Sequence, residues 1–555
     1  MQTSSRDRIE NYSAKGWWEN DTLQNIFETV TREGIDRPAI IDPSNRNDFV
    51  SGPPMKLSYE ELTDAVDKVG SWLFKAGLRQ GDIILVQMPN TVEIVLMYIA
   101  AAKLGLIVSP VAMQYGQFEL KHIGKVIEPH HYIAFRNFRG ESFGEVQSGA
   151  LPETCQSLFW GADDFNLEGE CKADEDYLAY VKNLSLDPND IFTICWTSGT
   201  TGRSKGVPRS HNQWLASALA VEDSVNLPEG SIYLNPFPFI NMAAIGGFLY
   251  FWLKNRGTMI LHHPFDPTVY LSQIQNENVV YTLAPPALLN RLLETKAQIK
   301  AGFDLSKLKI IGSGSAPLSP HMIEGFKEDF DIDVINVFGS NEGSALLSSP
   351  REVPDCAERA LFFPRFGRKE HKWPNRIHDR LETKLLDLES GNEVNKPGQV
   401  GELCITGATV FDGYYKSPED NAQAFTEDGY FRTGDLFEIA GNNDEFYQFI
   451  GRCKALIVRG GVNISPEELD ELLVAHPAIM EGAVAAYPDK IMGEKICAVV
   501  VPYEGQSVTL EDIKNYLDEK KVAKFKWPER LHIMEALPRN AMNKVVRKQL
   551  EDIIS

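Results

Sequence analysis

The chain has 555 residues, of which 43% are hydrophobic and 24% are charged, a composition typical of a globular protein with a large core. Its formal net charge of −22 argues against a general binder of nucleic acids or of anionic membrane surfaces, because such proteins carry a basic face. The seven cysteines are scattered and never stand in C-x-x-C spacing, so we expect neither a zinc site nor a disulfide framework. This cysteine usage, with a polar N-terminus unlike a secretory signal, predicts a cytoplasmic protein.

Apolar strand-like runs alternate with helical patterns through roughly the first 330 residues, which predicts an α/β architecture of parallel or mixed sheets flanked by helices. Residues 94–102 are all apolar, and with the residues after them they approach the length of a membrane span. Lys103, Gly105 and Pro110 interrupt that stretch, so a strand, a buried helix and a second strand are the better interpretation. The strand-like runs are residues 83–88, 106–110, 191–196, 258–263 and 308–314.

The sequence pattern changes after about residue 398. The runs GELCITG, YFRTGDL and DEFYQFIGR predict short strands joined by Gly-rich turns. Beyond residue 455, strand and helix patterns indicate a compact α+β unit large enough for a small domain. The predicted divisions are a large N-terminal domain at 1–451 with a strand-rich subdomain at 398–451, a hinge at 452–455, and a small mobile C-terminal domain at 456–555.

The strongest chemical signal is TSGTTGRSKG at residues 197–206, directly after the buried strand pattern IFTICW. Its glycines let backbone N–H groups approach phosphate oxygens, while the hydroxyls and Lys205 add donors and positive charge. The spacing is not that of a Walker P-loop, and the flanking strand and helix patterns favour a phosphate loop over a flexible linker. The loop residues concerned are Thr197, Ser198, Gly199, Thr200, Thr201 and Gly202.

Strand, TSGTTGxxKG and helix together resemble the phosphate loop of the acyl-adenylate-forming enzymes, which include acyl-CoA synthetases, nonribosomal adenylation domains and beetle luciferases. Further motifs similar to that family follow in order from about residue 20 to 550. GSGSAPL at 312–318 resembles the loop beside the adenine and the acyl pocket, and NVFGSNE at 336–342 resembles the motif YGxTE. The resemblance implies nucleotide contacts by Gly314, Ser315, Ala316 and Pro317, and by Asn336, Val337, Phe338, Gly339 and Asn341.

The resemblance also implies individual roles in the second of these motifs. Phe338 would stack on adenine, and Glu342 would hold Mg²⁺, a metal that takes few protein ligands when it bridges phosphates. Asn341 stands where the family has Thr, and its amide can still donate to a phosphate or carbonyl oxygen. Glu342 and Lys205 are thus expected to take part in catalysis.

Later motifs complete the implied nucleotide site. YFRTGDL at 430–436 is a near-perfect family match, in which Asp435 would accept hydrogen bonds from both ribose hydroxyls. GRCK at 451–454 resembles the family's hinge, with Arg452 on the nucleotide and Lys454 at the pivot. Gly460 and Gly461 would face the thiol channel after the C-terminal domain rotates.

Lys544 ends the sequence LPRNAMNK and by resemblance would bridge the substrate carboxylate and the α-phosphate. Asn543 stands where the family usually has Gly, and Asn is the next-best residue for a positive φ. The alternative is one more surface lysine, since residues 520–548 carry nine Lys or Arg and only two Glu. That basic segment predicts either a solvated face or contact with a polyanion such as ATP or coenzyme A.

Phe239, Asn241 and Met242 are the expected lining of the acyl pocket, with Asn241 where the family often has His. Asn241 would either bind a substrate oxygen or be satisfied by backbone groups. The resemblance implies an ATP-dependent carboxylic acid–CoA ligase that needs ATP, Mg²⁺ and coenzyme A, forms an acyl-adenylate and then a thioester, and releases pyrophosphate and AMP. The alternatives are a ligase that loads a carrier-protein thiol in trans and a non-catalytic nucleotide-binding homologue.

Overall fold

The computed structural model describes residues 1–161, 165–167, 173–197, 204–315, 317–343, 345–453, 456–539 and 545–555. Its strands in chain order are β1 (Pro38–Ile41), β2 (Lys56–Ser58), β3 (Ile83–Gln87), β4 (Ile107–Pro110), β5 (His131–Phe135), β6 (Asn137–Phe138), β7 (Glu141–Ser142), β8 (Gln156–Trp160), β9 (Ile191–Thr197), β10 (Lys205–Ser210), β11 (Ile232–Asn235), β12 (Thr258–Leu261), β13 (Tyr281–Leu283), β14 (Ile310–Gly314), β15 (Asp333–Gly339), β16 (Ala345–Ser348), β17 (Phe362–Pro364), β18 (Leu381–Leu386), β19 (Glu393–Val394), β20 (Val400–Gly407), β21 (Phe431–Ala440), β22 (Phe446–Arg452), β23 (Ile457–Arg459), β24 (Val462–Ile464), β25 (Ile479–Asp489), β26 (Gly493–Pro502) and β27 (Arg530–Ile533).

The helices in chain order are α1 (Arg6–Ala14), α2 (Leu23–Arg32), α3 (Tyr59–Lys75), α4 (Val92–Leu104), α5 (Gln117–Ile127), α6 (Gly144–Ser148), α7 (Glu175–Lys182), α8 (His211–Val225), α9 (Met242–Ala244), α10 (Phe251–Asn255), α11 (Pro267–Asn276), α12 (Pro286–Glu294), α13 (Lys296–Gly302), α14 (Pro320–Phe330), α15 (Cys356–Leu361), α16 (Pro418–Ala424), α17 (Pro466–Val474), α18 (Leu510–Glu519) and α19 (Arg547–Ile554). A π-helical turn, Ile245–Tyr250, joins α9 to α10.

Two sheets flanked by helices make up most of the chain before β17. One has the strand order β16-β15-β14-β13-β11-β12-β1-β2, and the other has the order β10-β9-β4-β3-β5-β8. Inner strands pair in parallel, whereas the edge strands β16, β2 and β10 pair antiparallel. Parallel neighbours need crossover connections, which helices such as α4 between β3 and β4 provide. The predicted α/β class is confirmed.

Helix α4 is buried along its whole length, as expected of a helix whose residues 94–102 are all apolar. It ends at Gly105, which adopts a left-handed φ of 68° and donates its N–H to the carbonyl of Ala101. The predicted succession of strand, buried helix and strand is therefore confirmed. Within the described ranges, no helix is both long enough and apolar enough to cross a membrane.

An antiparallel sheet with the order β17-β22-β21-β20-β18-β19 follows. Burial alternates along most of β21, so one face of this sheet packs inward. The sheet begins at Phe362, upstream of residue 398 where the sequence places the strand-rich part. The early strands β17 and β19 have only three and two residues, and Pro364 ends β17, so periodicity cannot reveal them.

The C-terminal part has a sheet with the order β24-β23-β26-β25, with β27 parallel to β26. Strand β22 ends at Arg452 and β23 begins at Ile457. Apolar residues of α17 and α18 share a core with β26. The segment before β27 reaches the larger part of the chain at α5, where the Phe118 N–H donates to the carbonyl of Lys521 over 3.3 Å and the Phe118 ring packs against the C-terminal core.

Candidate active site

The predicted phosphate loop connects two antiparallel strands. Thr197 at the end of β9 pairs with Lys205 at the start of β10. Strand β9 is buried up to its last residue, which anchors one end of the loop in the core. The predicted contacts Ser198, Gly199, Thr200, Thr201 and Gly202 lie outside the described residues.

Lys205 points into a polar and aromatic corner formed by residues after β20. Its ammonium lies 2.7 Å from Oδ1 of Asp420 and 4.6 Å from the ring centroid of Tyr414. Burial works to raise the pKa of Asp420, but hydrogen bonds from Lys205 and Ser417 hold that pKa below its usual value. The lysine therefore has an ionised partner, which a phosphate group would have to replace or share.

Glu342 lies in the turn between β15 and β16 and is almost completely buried. Its Oε1 accepts a hydrogen bond of 3.0 Å from the Tyr414 hydroxyl. Its carbonyl accepts a 2.9 Å bond from the N–H of Phe411. The next residue, Gly343, has φ of 106°, and a Cβ there would lie 2.0 Å from the carbonyl oxygen of Thr409. Close backbone packing thus requires glycine and fixes the direction of the Glu342 side chain.

Asn341, beside Glu342, connects the phosphate-loop strand to the predicted acyl pocket. Its amide nitrogen donates to the carbonyl of Trp196 over 3.2 Å. Its amide oxygen accepts a 2.9 Å bond from the N–H of Met242. Both ends of this side chain therefore bond to protein backbone.

The loop predicted to contact adenine follows β14, which pairs in parallel with β15. A Cβ on Gly314 would lie 2.0 Å from the carbonyl oxygen of Val337, so the close approach of these strands requires glycine. Ser315 has a positive φ of 70°, and both Ser315 and Pro317 are exposed. Ala316 lies outside the described residues.

The two predicted contacts Asn336 and Phe338 have different surroundings. Asn336 is buried, and its amide nitrogen donates to the carbonyls of Arg359 and Ala360. Phe338 is half-buried, and its ring lies edge-on to that of Phe437 at 5.1 Å. An aromatic face supported in this way can receive a flat base. Gly339, at the end of β15, is exposed.

Asp435 and Arg452 are opposite one another on β21 and β22. The Arg452 Nε lies 3.0 Å from Oδ1 of Asp435. Burial raises the pKa of Asp435 to about 6; Arg452 lowers it, whereas Glu342 and Glu402 contribute to the increase. Phe437, two residues after Asp435 on β21, contacts the ring of Phe338 on β15, so the predicted ribose and adenine residues lie in one region of the molecule.

The predicted C-terminal contacts are only partly described. Gly460 and Gly461 form the exposed turn between β23 and β24, with φ of 58° and 81°. The Gly460 N–H donates to the carbonyl of Met492 over 2.7 Å, which holds this turn to its own sheet. Lys454 and Lys544 lie outside the described residues.

The three residues predicted to line the acyl pocket lie at or just before the start of α9, which begins at Met242. The Asn241 side chain accepts a 3.3 Å bond from the N–H of Ala244 and so acts as the N-cap. Phe239 is buried, and its carbonyl accepts a hydrogen bond of 2.6 Å from the Tyr98 hydroxyl. Met242 is half-buried and connects to the nucleotide motifs through Asn341. The cap supports the alternative in which Asn241 is satisfied by backbone.

Glu342 is the residue that the resemblance predicts as a Mg²⁺ ligand. No cluster of three or more His, Cys, Asp or Glu is arranged to hold a metal in the part of the chain that the structure describes. One buried carboxylate oriented by Tyr414 nevertheless fits Mg²⁺, because this ion takes phosphate oxygens and water for most of its ligands. Sequence reasoning missed Tyr414 and Asp420. Their only signal is a polar, aromatic stretch, DGYYKSPED at residues 412–420, which reads as an ordinary loop.

A connection between two buried strands, a buried carboxylate suited to Mg²⁺ and an aspartate suited to ribose hydroxyls are the features that the resemblance to adenylate-forming ligases predicts. Residues 26–415 match the AMP-binding enzyme family, and residues 468–544 match the AMP-binding enzyme C-terminal domain. The chain therefore belongs to the AMP-binding enzyme family.

Similar proteins span nearly the full chain. Enterobactin synthase component E of Escherichia coli K12 is 30% identical over 554 residues, covering 97% of this chain and 95% of that protein. Oxalate–CoA ligase of Arabidopsis thaliana is 28% identical over 540 residues, covering 96% of this chain and 98% of that protein. A solved double mutant of o-succinylbenzoate CoA synthetase from Bacillus subtilis aligns with a TM-score of 0.76 and 22% identity, covering 96% and 99% of the two chains, a likeness of fold.

Proposed function

We propose that the chain is an ATP-dependent carboxylic acid–CoA ligase that works through an acyl-adenylate. The observation that carries this proposal is the connection from Lys205, over the Tyr414 ring, to the Glu342 carboxylate. It joins the phosphate-loop lysine to the carboxylate suited to the metal. A triphosphate placed across these groups would meet positive charge and oriented donors together.

In the first half-reaction, a carboxylate oxygen of the acid attacks the α-phosphorus of ATP. The bond between that phosphorus and the bridging oxygen breaks, and pyrophosphate leaves. Two anions must approach each other, so Lys205 and Lys544 would neutralise charge at the phosphates and the acid. Mg²⁺ held by Glu342 would supply further positive charge to the phosphate oxygens. Asp435 and Phe338 would hold the ribose and the adenine, and Arg452, which lies 3.0 Å from Asp435, would also contact the nucleotide.

In the second half-reaction, the thiolate of coenzyme A attacks the acyl carbon. The bond between that carbon and the phosphate oxygen breaks, the acyl group passes to sulfur, and AMP leaves. We infer that the hinge at 452–455 lets residues 456–555 rotate around Lys454. Rotation would withdraw Lys544 and bring Gly460 and Gly461 to the thiol channel.

Phe239, Met242 and Asn241 would line the acyl pocket. Their apolar surroundings favour a medium-sized acid with a cyclic or aromatic body. Acid-dependent ATP–pyrophosphate exchange across fatty, aryl and alicyclic acids tests the assignment. Exchange that depends on one acid class supports it, and the absence of exchange with every acid from a protein that still binds ATP contradicts it.

A second candidate acceptor is a thiol on a carrier protein. One observation favours it, namely the 30% identity to a relative whose name makes it a component of enterobactin synthase. With the activating acid known, coenzyme A and a pantetheinylated carrier protein are compared as acceptors at equal concentration. Faster transfer to coenzyme A supports the ligase proposed first, and faster transfer to the carrier supports the alternative.

A further inference from the structure

Arg209 is a fully buried cation beside the candidate site. It lies on β10, four residues after Lys205, and its relative exposure is 0%. A charged side chain is rarely buried to this extent unless an ion pair compensates for its lost hydration. Whether the hydrogen-bond partners of this guanidinium carry a negative charge therefore decides how its charge is compensated.

Those partners are neutral. Nη1 donates to the carbonyl of Asn341, and Nη2 donates to the carbonyl of Gln213 and to Oγ of Ser217, each over 2.9 Å. The guanidinium carbon also lies 4.3 Å from the ring centroid of Trp214. No carboxylate bonds to Arg209 within the described ranges. Burial lowers the pKa of Arg209 to about 10, so it stays charged at neutral pH.

The hydrogen bond to Asn341 links the buried Arg209 guanidinium to the turn that carries Glu342. The Asn341 carbonyl belongs to the peptide group that joins Asn341 to Glu342, and Glu342 is among the charges that act on Arg209. Strand β10 leaves the phosphate loop directly. Arg209 therefore connects the turn that carries Glu342 to the strand that follows the loop.

We propose that Arg209 is a positioning residue for the metal-bound triphosphate, a role that rests on the proposed function. Its guanidinium holds the Asn341–Glu342 peptide in place, and its charge, without an anionic partner in contact, favours a bound polyanion. ATP with Mg²⁺ depends on the Glu342 turn, whereas AMP without metal depends on the adenine and ribose contacts. Loss of Arg209 should consequently affect the binding of MgATP more than that of AMP.

Titration calorimetry of the full chain with MgATP and with metal-free AMP tests this role, using Arg209→Met, Arg209→Lys and Ser217→Ala. Arg209→Met keeps an unbranched apolar stem but removes the guanidinium with its charge and its hydrogen bonds. Arg209→Lys keeps the charge, and Ser217→Ala removes one neutral partner. We expect Arg209→Met to weaken MgATP binding about tenfold or more, the scale of a hydrogen bond to a charged group, and AMP binding less than about threefold. The MgATP affinity of Arg209→Lys should lie between those of wild type and Arg209→Met, and that of Ser217→Ala should match wild type.

Equal weakening of MgATP and AMP binding in Arg209→Met, or MgATP binding within about threefold of wild type, would overturn the proposal. Should Arg209→Met fail to fold by circular dichroism, Arg209→Lys decides: selective loss of MgATP affinity supports the role, and unchanged or equally lowered affinities refute it. Acid-dependent pyrophosphate exchange by the wild type is measured separately. Its absence would reject the proposed function, whereas the affinities for MgATP and for AMP would still show whether Arg209 has the positioning role.

Discussion

Replacement of Lys526 by methionine should loosen the contact between the C-terminal part and α5. The Lys526 ammonium bonds to Oε1 of Glu119 and to Oε1 of Glu468, each over 2.9 Å. Burial by itself would lower the pKa of Lys526, but Glu468 and Glu119 raise it above the usual value. Methionine keeps an unbranched apolar stem but removes the ammonium charge and both of its hydrogen bonds.

The expected cost follows from burial and from the partners that remain. Lys526 and Glu119 are 5% and 4% exposed, and removal of one member of a buried ion pair typically costs about 3–5 kcal/mol. Here two carboxylates would be left facing each other, so we expect about 4 kcal/mol. If the free energy of unfolding falls by about 2 kcal/mol per M urea, the urea concentration at which the C-terminal part separates from α5 should fall by roughly 2 M.

Urea unfolding and hydrogen exchange of peptides from α5 and from residues 521–527 measure the effect. Lys524→Met is the matched control, because Lys524 is exposed and lies two residues away. Neutralising both Glu119 and Glu468 with glutamine in the Lys526→Met background should restore part of the loss. Unfolding of Lys526→Met within about 0.5 kcal/mol of the Lys524→Met control would refute the reasoning.

Three further results are expected. Burial raises the pKa of Asp435 to about 6, and the ionised form is the better acceptor for ribose hydroxyls, so AMP affinity measured by calorimetry should fall as the pH is lowered through that value; a flat profile would speak against the ribose role. Asn341→Ala leaves the Trp196 carbonyl and the Met242 N–H without their partner, which should cost about 2 kcal/mol of stability and raise the KM for the acid more than that for ATP; equal rises would point to general loosening. Lys544→Ala should nearly abolish adenylate formation in single-turnover assays but spare thioester formation from supplied acyl-adenylate, and equal loss of both half-reactions would refute its role.

Regular local patterns could be predicted from the sequence. Residues 94–102 of α4 are all apolar and Gly105 follows the helix, so the burial of this run and the end of the helix could be predicted from the sequence. The strands around the phosphate loop are also evident, because IFTICW is long and apolar. Short strands such as β17 and β19 could not be predicted, because two or three residues are too few to show an alternation of apolar and polar side chains.

Partners far apart in the chain could not be predicted. The basic segment at 520–548 reads as a solvated or anion-binding face, yet the structure pairs Arg539 with Glu481 and buries Lys526 between carboxylates. The bonds from Asn341 to Trp196 and Met242 cross about 100 residues or more of sequence. Such contacts are set by how the sheets pack, which local propensity does not encode.

The most direct test of acid activation follows the oxygen atoms of the acid through one turnover. The activating acid is prepared with oxygen-18 in its carboxylate and incubated with ATP, Mg²⁺ and coenzyme A, and the released AMP is analysed by mass spectrometry. Attack on the α-phosphorus predicts one heavy oxygen in AMP and none in pyrophosphate. Unlabelled AMP, or heavy oxygen in inorganic phosphate alongside ADP, would contradict an acyl-adenylate.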